Sequence, residues 1–254
     1  MTAKKTAAKK PAAKKPAARK PAKRARRVVV YAGTRNLYHM MAVSLKALLH
    51  STQIDRVVLL TEDDTFPEQL PDVCEVMNVS DQKFFPADGP NFENYWTWMA
   101  MMRLAIPVLL PDESRALYLD CDTIAMQDIG GIFETDLQGN LLAGVLEPHK
   151  SDEKQHYHYF NAGVVLMDLD ALRTSGKCAE MISALNYRKW GFPDQDVMNA
   201  CCSRKTLVLP PEWNATYFIP HGEPIILHGA ANRHFDRTPE FRAAASLEWG
   251  QCKC

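Results

Sequence analysis

Short apolar runs alternate with helical patterns from residue 28 almost to the end of the chain. Eight of these runs have the length and the residue types that are typical of strands. They are Val28–Ala32, Arg56–Leu60, Val73–Val79, Ala116–Asp120, Leu141–Leu146, Gly163–Met167, Thr206–Leu209 and Pro224–Leu227.

Two of the segments between these runs repeat apolar residues at the spacing of one helical face. The first face consists of Leu37, Met40, Met41, Leu45 and Leu48. The second consists of Trp98, Met101, Met102, Ala105 and Leu109. The alternation of strands and helices predicts an α/β fold with a largely parallel sheet. Such sheets bind ligands beyond the carboxyl ends of their strands, so functional residues are expected at that edge.

Charge is distributed unevenly along the chain. The 254 residues carry 30 Lys+Arg and 30 Asp+Glu, but residues 1–27 contain 12 basic and no acidic side chains, which leaves −12 for residues 28–254. The basic segment repeats KKTAA or KKPAA and offers no side chain that could build a core. We therefore expect a disordered basic tail over residues 1–27 and one folded domain over residues 28–254.

The basic tail has three interpretations that the sequence leaves open. Residues 4–27 resemble the Lys-, Ala- and Pro-rich tails of linker histones, and their cations could neutralise the phosphates of a nucleic acid. They could also lie on an anionic membrane surface or bind an acidic polymer. Finally, they could only increase solubility or pair with the acidic body of their own chain.

Composition excludes several classes of protein. With 46% apolar residues, the chain can bury a substantial core, so disorder throughout is excluded. No apolar run approaches the roughly 18 residues that span a bilayer, and the N-terminus lacks the apolar stretch of a secretory signal. Seven cysteines, an odd count, are typical of a reducing compartment. Together these features predict a soluble, cytoplasmic protein without a signal peptide.

Two aspartates directly follow an apolar run. Asp120 and Asp122 are separated by one residue, so both carboxylates are expected on the same side of an extended backbone, where they suit Mg²⁺ or Mn²⁺. His228 ends another apolar run, and a neutral imidazole there could complete the ligand set. Asp-x-Asp also occurs as plain turn chemistry, and a lone histidine is often structural, so these residues alone leave both interpretations open.

Five stretches in chain order carry a resemblance to a known family. They read VVVYA (28–32), LYLDCD (117–122), FNAGVVLM (160–167), DQDVMN (194–199) and ILHG (226–229). Together they resemble glycosyltransferase family 8, over residues 28–235. The resemblance implies a GT-A fold, a nucleotide-sugar donor that is usually UDP-linked, dependence on Mn²⁺ or else Mg²⁺, and retention of anomeric configuration. It implies transfer of a hexosyl unit to a carbohydrate, lipid or protein acceptor.

The resemblance also implies residue roles. Asp120, Asp122 and His228 would bind the metal ion. Asp194 and Gln195 would face the reacting centre, with Gln195 under the anomeric carbon. An amide is a poor nucleophile, so same-face transfer is favoured over a covalent double displacement. The donor would be bound by Ala32, Thr34, Asn36, Arg103, Asp120, Cys121, Asn161, Ala162, Asp194, Gln195, Gly229 and Arg233.

Four of these positions also have local interpretations. Asn161 and Ala162 are expected at the sharp entry to the strand that starts at Gly163. Asp194 suits the N-cap of a helix through residue 200. Arg103 could clamp phosphate or sugar oxygens, with a solvated helix charge as the alternative.

The sequence departs from the family pattern in two places. After the first strand, Thr34 stands where the family has an acid that engages uracil, although Asn36 is retained. After His228 the usual lysine is absent, and Arg233 could supply a cation to the diphosphate by charge alone.

Two other functions compete with the transferase. A haloacid-dehalogenase-type phosphatase also has Asp-x-Asp after an apolar strand, but its pair lies on the first strand, whereas this pair lies at residue 120. A catalytically inactive scaffold whose basic tail binds nucleic acid is the second alternative. The presence of Asp120, Asp122 and His228 together argues against it.

Overall fold

The computed structural model of the chain describes residues 25–151, 158–230 and 232–253. The expected disordered tail, with the proposed nucleic-acid or anionic-surface contacts of residues 4–27, therefore lies almost entirely outside the described residues. Its last two residues contact the folded body. Arg26 pairs with Glu113 at 2.6 Å, and the backbone N–H of Arg27 donates to Asp55 at 2.8 Å.

Nine strands and six α-helices form within the described residues. The strands are β1 (Val28–Ala32), β2 (Arg56–Thr61), β3 (Cys74–Asn78), β4 (Arg115–Leu119), β5 (Thr123–Ala125), β6 (Leu142–Leu146), β7 (Phe160–Asp168), β8 (Thr206–Val208) and β9 (Ile226–His228). The helices are α1 (Tyr38–Ser51), α2 (Ile106–Leu109), α3 (Leu169–Thr174), α4 (Lys177–Tyr187), α5 (Pro193–Cys202) and α6 (Pro239–Ala245).

Seven strands form one sheet in the order β3-β2-β1-β4-β7-β6-β8. Strand β7 is antiparallel to its neighbours β4 and β6, and the other described pairs in this sheet are parallel. The predicted α/β fold with a mixed, mainly parallel sheet is therefore confirmed. Because β7 runs in the opposite direction, its first residues lie at the edge where the other strands end.

Alternate side chains of the sheet pack into two apolar layers. In β1, Val28 and Val30 belong to one layer, and Val29 and Tyr31 belong to the other. The predicted face of α1 packs on the second layer, where Met41, Leu45 and Leu48 are fully buried.

The second predicted helix differs from the expectation. Residues 98–109 form a 3₁₀ helix over Trp98–Ala105, followed by the short α2. Pro107, in the first turn of α2, has no N–H for the bond to Arg103 that a continuous α-helix would require. The apolar face is still buried, with Met102 fully enclosed.

A separate two-stranded sheet, β5 with β9, was not predicted. Its strands are antiparallel, with Thr123 opposite His228. Strand β5 has only three residues, which is too short to give a periodic signal. Strand β9 starts two residues later and ends one residue later than the predicted strand Pro224–Leu227.

Strand β7 begins earlier than predicted. It starts at Phe160, which pairs with Leu146 of β6, so Asn161 and Ala162 lie within the strand rather than in a turn at its entry.

Among the described residues, none of the helices combines the length and apolar character that a bilayer crossing requires.

Candidate functional site

A cavity of about 950 Å³ opens at the edge where the parallel strands end. This volume lies near the upper end of the usual range for ligand pockets. Ten of the residues predicted from the sequence line it. They are Ala32, Asn36, Arg103, Asp120, Cys121, Asp122, Asn161, Asp194, Gln195 and His228.

Three potential metal ligands meet in this cavity. Atoms of Asp120, Asp122 and His228 lie within 4.8 Å of one another. The Nε2 atom of His228 is 3.6 Å from Asp120 Oδ2 and 3.4 Å from Asp122 Oδ1. Two carboxylates and an imidazole are a donor set that suits a divalent cation. The residues present therefore fit the ion that the sequence predicts.

Backbone pairing explains why these three residues converge. Asp120 follows β4, and its N–H donates to the carbonyl oxygen of Gly163 in β7 at 2.8 Å. Asp122 precedes β5, and its carbonyl oxygen accepts from the N–H of Gly229 at 2.8 Å. The β5–β9 pair thereby holds His228 beside both aspartates.

The aspartates lie on a turn rather than on the extended backbone that we expected. Strand β4 ends at Leu119, and the hydroxyl of Thr123 donates to the carbonyl oxygen of Asp120 at 2.8 Å, which closes the turn. Both carboxylates still lie within 3.6 Å of His228 Nε2, so they converge as predicted. The Cys121 thiol between them is buried, and desolvation raises its pKa well above the usual value.

The charges of the cluster stabilise one another. Burial disfavours the charged imidazole of His228, but the adjacent carboxylates of Asp122 and Asp120 outweigh this and raise the pKa of His228. Burial also disfavours the Asp122 carboxylate, yet the His228 ring lowers the pKa of Asp122. A bound cation would replace the positive charge that the protonated ring supplies.

Arg103 lines the cavity and is buried, so a solvated helix charge is excluded. Its guanidinium donates to Asp120 Oδ1 at 2.8 Å and to the Ala162 carbonyl oxygen at 2.5 Å, and its Nε lies 3.0 Å from Asp194 Oδ2. It also lies over the ring of Tyr118 at 4.3 Å. Arg103 therefore cross-links two carboxylates of the site.

The ion pairs with Asp120 and Asp194 keep the Arg103 guanidinium charged. Burial opposes ionisation of Arg103, but Asp120 and Asp194 reverse the effect and raise the pKa of the guanidinium. For Asp194, burial raises the pKa and Arg103 counteracts only part of that rise.

Asp194 is not the N-cap that we expected. Pro193 occupies the first helical position of α5, so Phe192 is the N-cap residue.

We expect Arg103→Met to lower the free energy of unfolding by about 3–5 kcal/mol, because it leaves two carboxylates at a buried site without their counter-charge. Urea unfolding followed by circular dichroism measures the change. Arg242→Met is the matched control, since Arg242 is exposed on α6 and its loss should change stability by less than about 0.5 kcal/mol. Equal stability of both variants would contradict the cross-linking role.

Gln195 belongs to a second hydrogen-bonded group. Its Oε1 accepts from the N–H of Ala162 at 2.9 Å, and its Nε2 donates to Glu147 Oε1 at 3.1 Å and to the Tyr159 hydroxyl at 3.2 Å. Glu147 is buried and also lies 3.1 Å from Lys150 Nζ. The amide oxygen of Gln195 is therefore turned towards the backbone, and its NH₂ towards a carboxylate.

Four predicted donor-binding residues do not line the cavity. The hydroxyl of Thr34 donates to Asn36 Oδ1 at 2.5 Å, and Ala162 contributes backbone atoms to Arg103 and Gln195. Gly229 packs against Asp122, since an ideal Cβ at Gly229 would lie 2.8 Å from Asp122 Oδ2. Arg233 is exposed and donates to the hydroxyl of Tyr95, which does line the cavity, at 2.9 Å.

Sequence reasoning missed several residues of the site. Glu147 directly follows the predicted strand Leu141–Leu146, as Asp120 follows its own strand, so the same signal could have found it. Asn214 contacts His228 and carries no such signal. The cavity is also lined by aromatic residues that were not singled out. They are Tyr95, Trp96, Tyr118, Phe192, Tyr217 and Phe218.

The fold is similar to that of solved glycosyltransferase structures. The apo structure of the bifunctional glycosyltransferase WbbM matches 90% of this chain and 51% of its own length with a TM-score of 0.69. Sequence identity is only 16%, so this likeness shows the fold alone. The fold is the GT-A fold of glycosyltransferases, as predicted.

The family follows from the sequence comparison. The model of glycosyl transferase family 8 matches residues 28–234, so the chain belongs to that family. This confirms the resemblance that the five sequence stretches carry.

Two curated relatives match parts of the chain. Lipopolysaccharide 1,2-glucosyltransferase of Escherichia coli is 38% identical over 118 residues, which cover 41% of this chain and 34% of that protein. General stress protein A of Bacillus subtilis is 28% identical over 135 residues, which cover 48% of this chain and 47% of that protein. The matches thus span about half or less of the length of these relatives.

Proposed function

We propose that the chain is a retaining glycosyltransferase that moves a hexosyl unit from a UDP-sugar to a carbohydrate, lipid or protein acceptor and requires Mn²⁺. One observation carries the proposal. In a chain of glycosyltransferase family 8, Asp120, Asp122 and His228 converge within 4.8 Å in a cavity at the end of the strands. The related glucosyltransferase supports a hexosyl donor.

Asp120, Asp122 and His228 are the residues that would hold the cation. When bound, Mn²⁺ or Mg²⁺ supplies positive charge that neutralises the diphosphate and favours departure of the nucleotide. Oxygen ligands suit either ion, and the imidazole favours Mn²⁺ over Mg²⁺. Arg103 contributes by holding Asp120 in place through the 2.8 Å bond to its Oδ1.

The end of β1 is proposed to bind the nucleoside. Ala32, Asn36 and the apolar side chains of Leu37 and Met40 line the same cavity as the metal ligands. Thr34 donates to Asn36 Oδ1, which leaves the Asn36 NH₂ group to donate to a carbonyl oxygen. Uracil offers such an oxygen on its pairing edge, whereas adenine has no carbonyl oxygen, so this arrangement supports a uridine nucleotide over an adenosine nucleotide.

The sugar is proposed to lie between Asp194, Gln195 and Asn161. The Gln195 amide oxygen accepts from a backbone N–H, so it is not free to attack an anomeric carbon. Asp194 is held by Arg103, and Glu147 accepts from Asn161 and Gln195. This supports same-face transfer, in which the departing phosphate takes the proton of the incoming hydroxyl.

A panel of nucleotide sugars tests the proposal. The full chain with Mn²⁺ is incubated with UDP-glucose, UDP-galactose, UDP-N-acetylglucosamine and GDP-mannose, and the released nucleotide is measured. We expect at least one UDP-sugar to be turned over, EDTA to stop the reaction, and NMR of the first-formed product to show the donor's anomeric configuration. Release only from GDP-mannose would refute the uridine assignment, and no release from any donor would refute the transferase.

A further inference from the structure

A line of buried, hydrogen-bonded side chains connects the proposed metal ligand His228 with Glu147, which also lines the cavity. His228 Nδ1 lies 2.8 Å from Asn214 Oδ1, and Asn214 Nδ2 donates to Asn161 Oδ1 at 2.8 Å. Asn161 Nδ2 then donates to Glu147 Oε1 at 2.8 Å. All four residues are at most 6% exposed, so water does not substitute for these bonds.

A backbone group determines the direction of these hydrogen bonds. The N–H of Gly163 donates to Asn161 Oδ1 at 2.9 Å. A backbone N–H can only donate, so this atom of Asn161 must be the carboxamide oxygen. Asn214 must then present its NH₂ group to that oxygen, and its own oxygen therefore faces His228.

The orientation of Asn214 selects one form of the neutral imidazole. An oxygen acceptor at 2.8 Å requires that the proton lies on Nδ1 of His228. Nε2 then keeps its lone pair, and this is the atom that faces Asp120 and Asp122. The other tautomer would place two acceptors against each other and turn an N–H towards the cation.

We propose that Asn214 is a positioning residue that fixes His228 with Nε2 free to bind a divalent cation between Asp120 and Asp122. The inference rests on the proposed metal-dependent function and extends it to a residue that touches neither the aspartates nor the ion. Partners of this kind on ligating histidines orient the ring and strengthen metal binding.

The backbone around Asn214 keeps it in register with His228. Asn214 ends the short 3₁₀ helix Pro211–Asn214. The next residue, Ala215, donates to the Ile226 carbonyl oxygen at 2.9 Å and accepts from the N–H of His228 at 2.8 Å. The two side chains are thus carried by one hydrogen-bonded unit.

Two substitutions separate a positioning role from a merely structural one. Asn214→Leu removes the acceptor for His228 Nδ1. Asn214→Asp keeps an acceptor there but loses the donor to Asn161. We expect both variants to unfold at lower urea concentration, but only Asn214→Leu to bind Mn²⁺ about 10–100-fold more weakly. Mn²⁺ affinity is measured on the full chain without substrate, from the EPR signal of free Mn²⁺.

A second buried asparagine is the matched control. Asn199 is also fully buried, and its side chain makes hydrogen bonds of 2.8 Å with the backbone N–H and carbonyl oxygen of Phe160 and with the carbonyl oxygen of Gln195, rather than with His228. Asn199→Leu should lower the urea midpoint as Asn214→Leu does, yet leave Mn²⁺ affinity unchanged.

The possible results separate the two proposals. If the unchanged chain binds no Mn²⁺, the proposed function and this inference both fail. If it binds Mn²⁺ and Asn214→Leu binds equally well, or if Asn214→Asp weakens binding as much as Asn214→Leu, only the positioning role is overturned. Should Asn214→Leu fail to fold, Asn214→Ala removes the same acceptor with less steric change, and the same comparison applies.

Discussion

Replacing Asp122 by alanine should reduce turnover of the nucleotide sugar by about 10³-fold or more. The loss of a ligand from a three-residue cation site removes charge stabilisation worth several kcal/mol on the departing nucleotide. The fold should survive, because Asp122 lies in a turn and its side chain is partly exposed, at 24%. Released nucleotide reports activity, and the free Mn²⁺ signal in EPR reports binding of the ion.

The control for this variant is Asp112→Ala. Asp112 lies in an exposed turn between α2 and β4, so both activity and Mn²⁺ affinity should match those of the unchanged chain. If Asp122→Ala retained full activity at the same Mn²⁺ concentration, the assignment of Asp122 as a metal ligand would be wrong.

Gly163→Ala should weaken Mn²⁺ binding by roughly 100-fold, although the added group is a single methyl. An ideal Cβ at Gly163 would meet the His228 ring at its Cε1, and it would lie 2.7 Å from Nε2 and 2.8 Å from Asp120 Oδ2. Overpacking of this kind costs typically 1–3 kcal/mol, and here it is relieved only by moving the ligands. Strand β7 is bonded to β4 and β6 on either side, so its backbone cannot retreat.

A second glycine provides the comparison. A Cβ at Gly131 meets nothing within 4 Å, so Gly131→Ala should leave Mn²⁺ affinity and activity unchanged. Isothermal titration with MnCl₂ measures both variants. Normal binding by Gly163→Ala would mean that β7 can shift, contrary to its two-sided pairing.

The strand pattern and the acidic pair were readable from the sequence because they depend on local order. The periodicity of apolar residues, the apolar content of a run and the position of Asp120 directly after a strand can each be recognised within one short segment. The direction of β7 was not readable, since it depends on which neighbours the strand pairs with. Short β5 was missed for the same reason, as only pairing with β9 makes it a strand.

The roles of Arg103 and Asn214 depend on contacts that sequence order does not reveal. The sequence predicted that Arg103 clamps phosphate or sugar oxygens, with a solvated helix charge as the alternative, and it gave no sign that two carboxylates of the same chain would pair with this cation in a buried position. Its partners Asp120 and Asp194 are supplied by separate segments, 17 and 91 positions further along the chain. The role of Asn214 follows only from its contact with His228, which β9 places beside it.

The small β5–β9 pair has a consequence for synthesis of the protein. His228 lies 106 residues after Asp122, and it reaches the aspartates through this ladder. While a ribosome is still translating the preceding segment, the nascent polypeptide contains Asp120 and Asp122 but not yet His228. The cluster of Asp120, Asp122 and His228 is thus completed late in biosynthesis, once residues beyond 228 have left the exit tunnel.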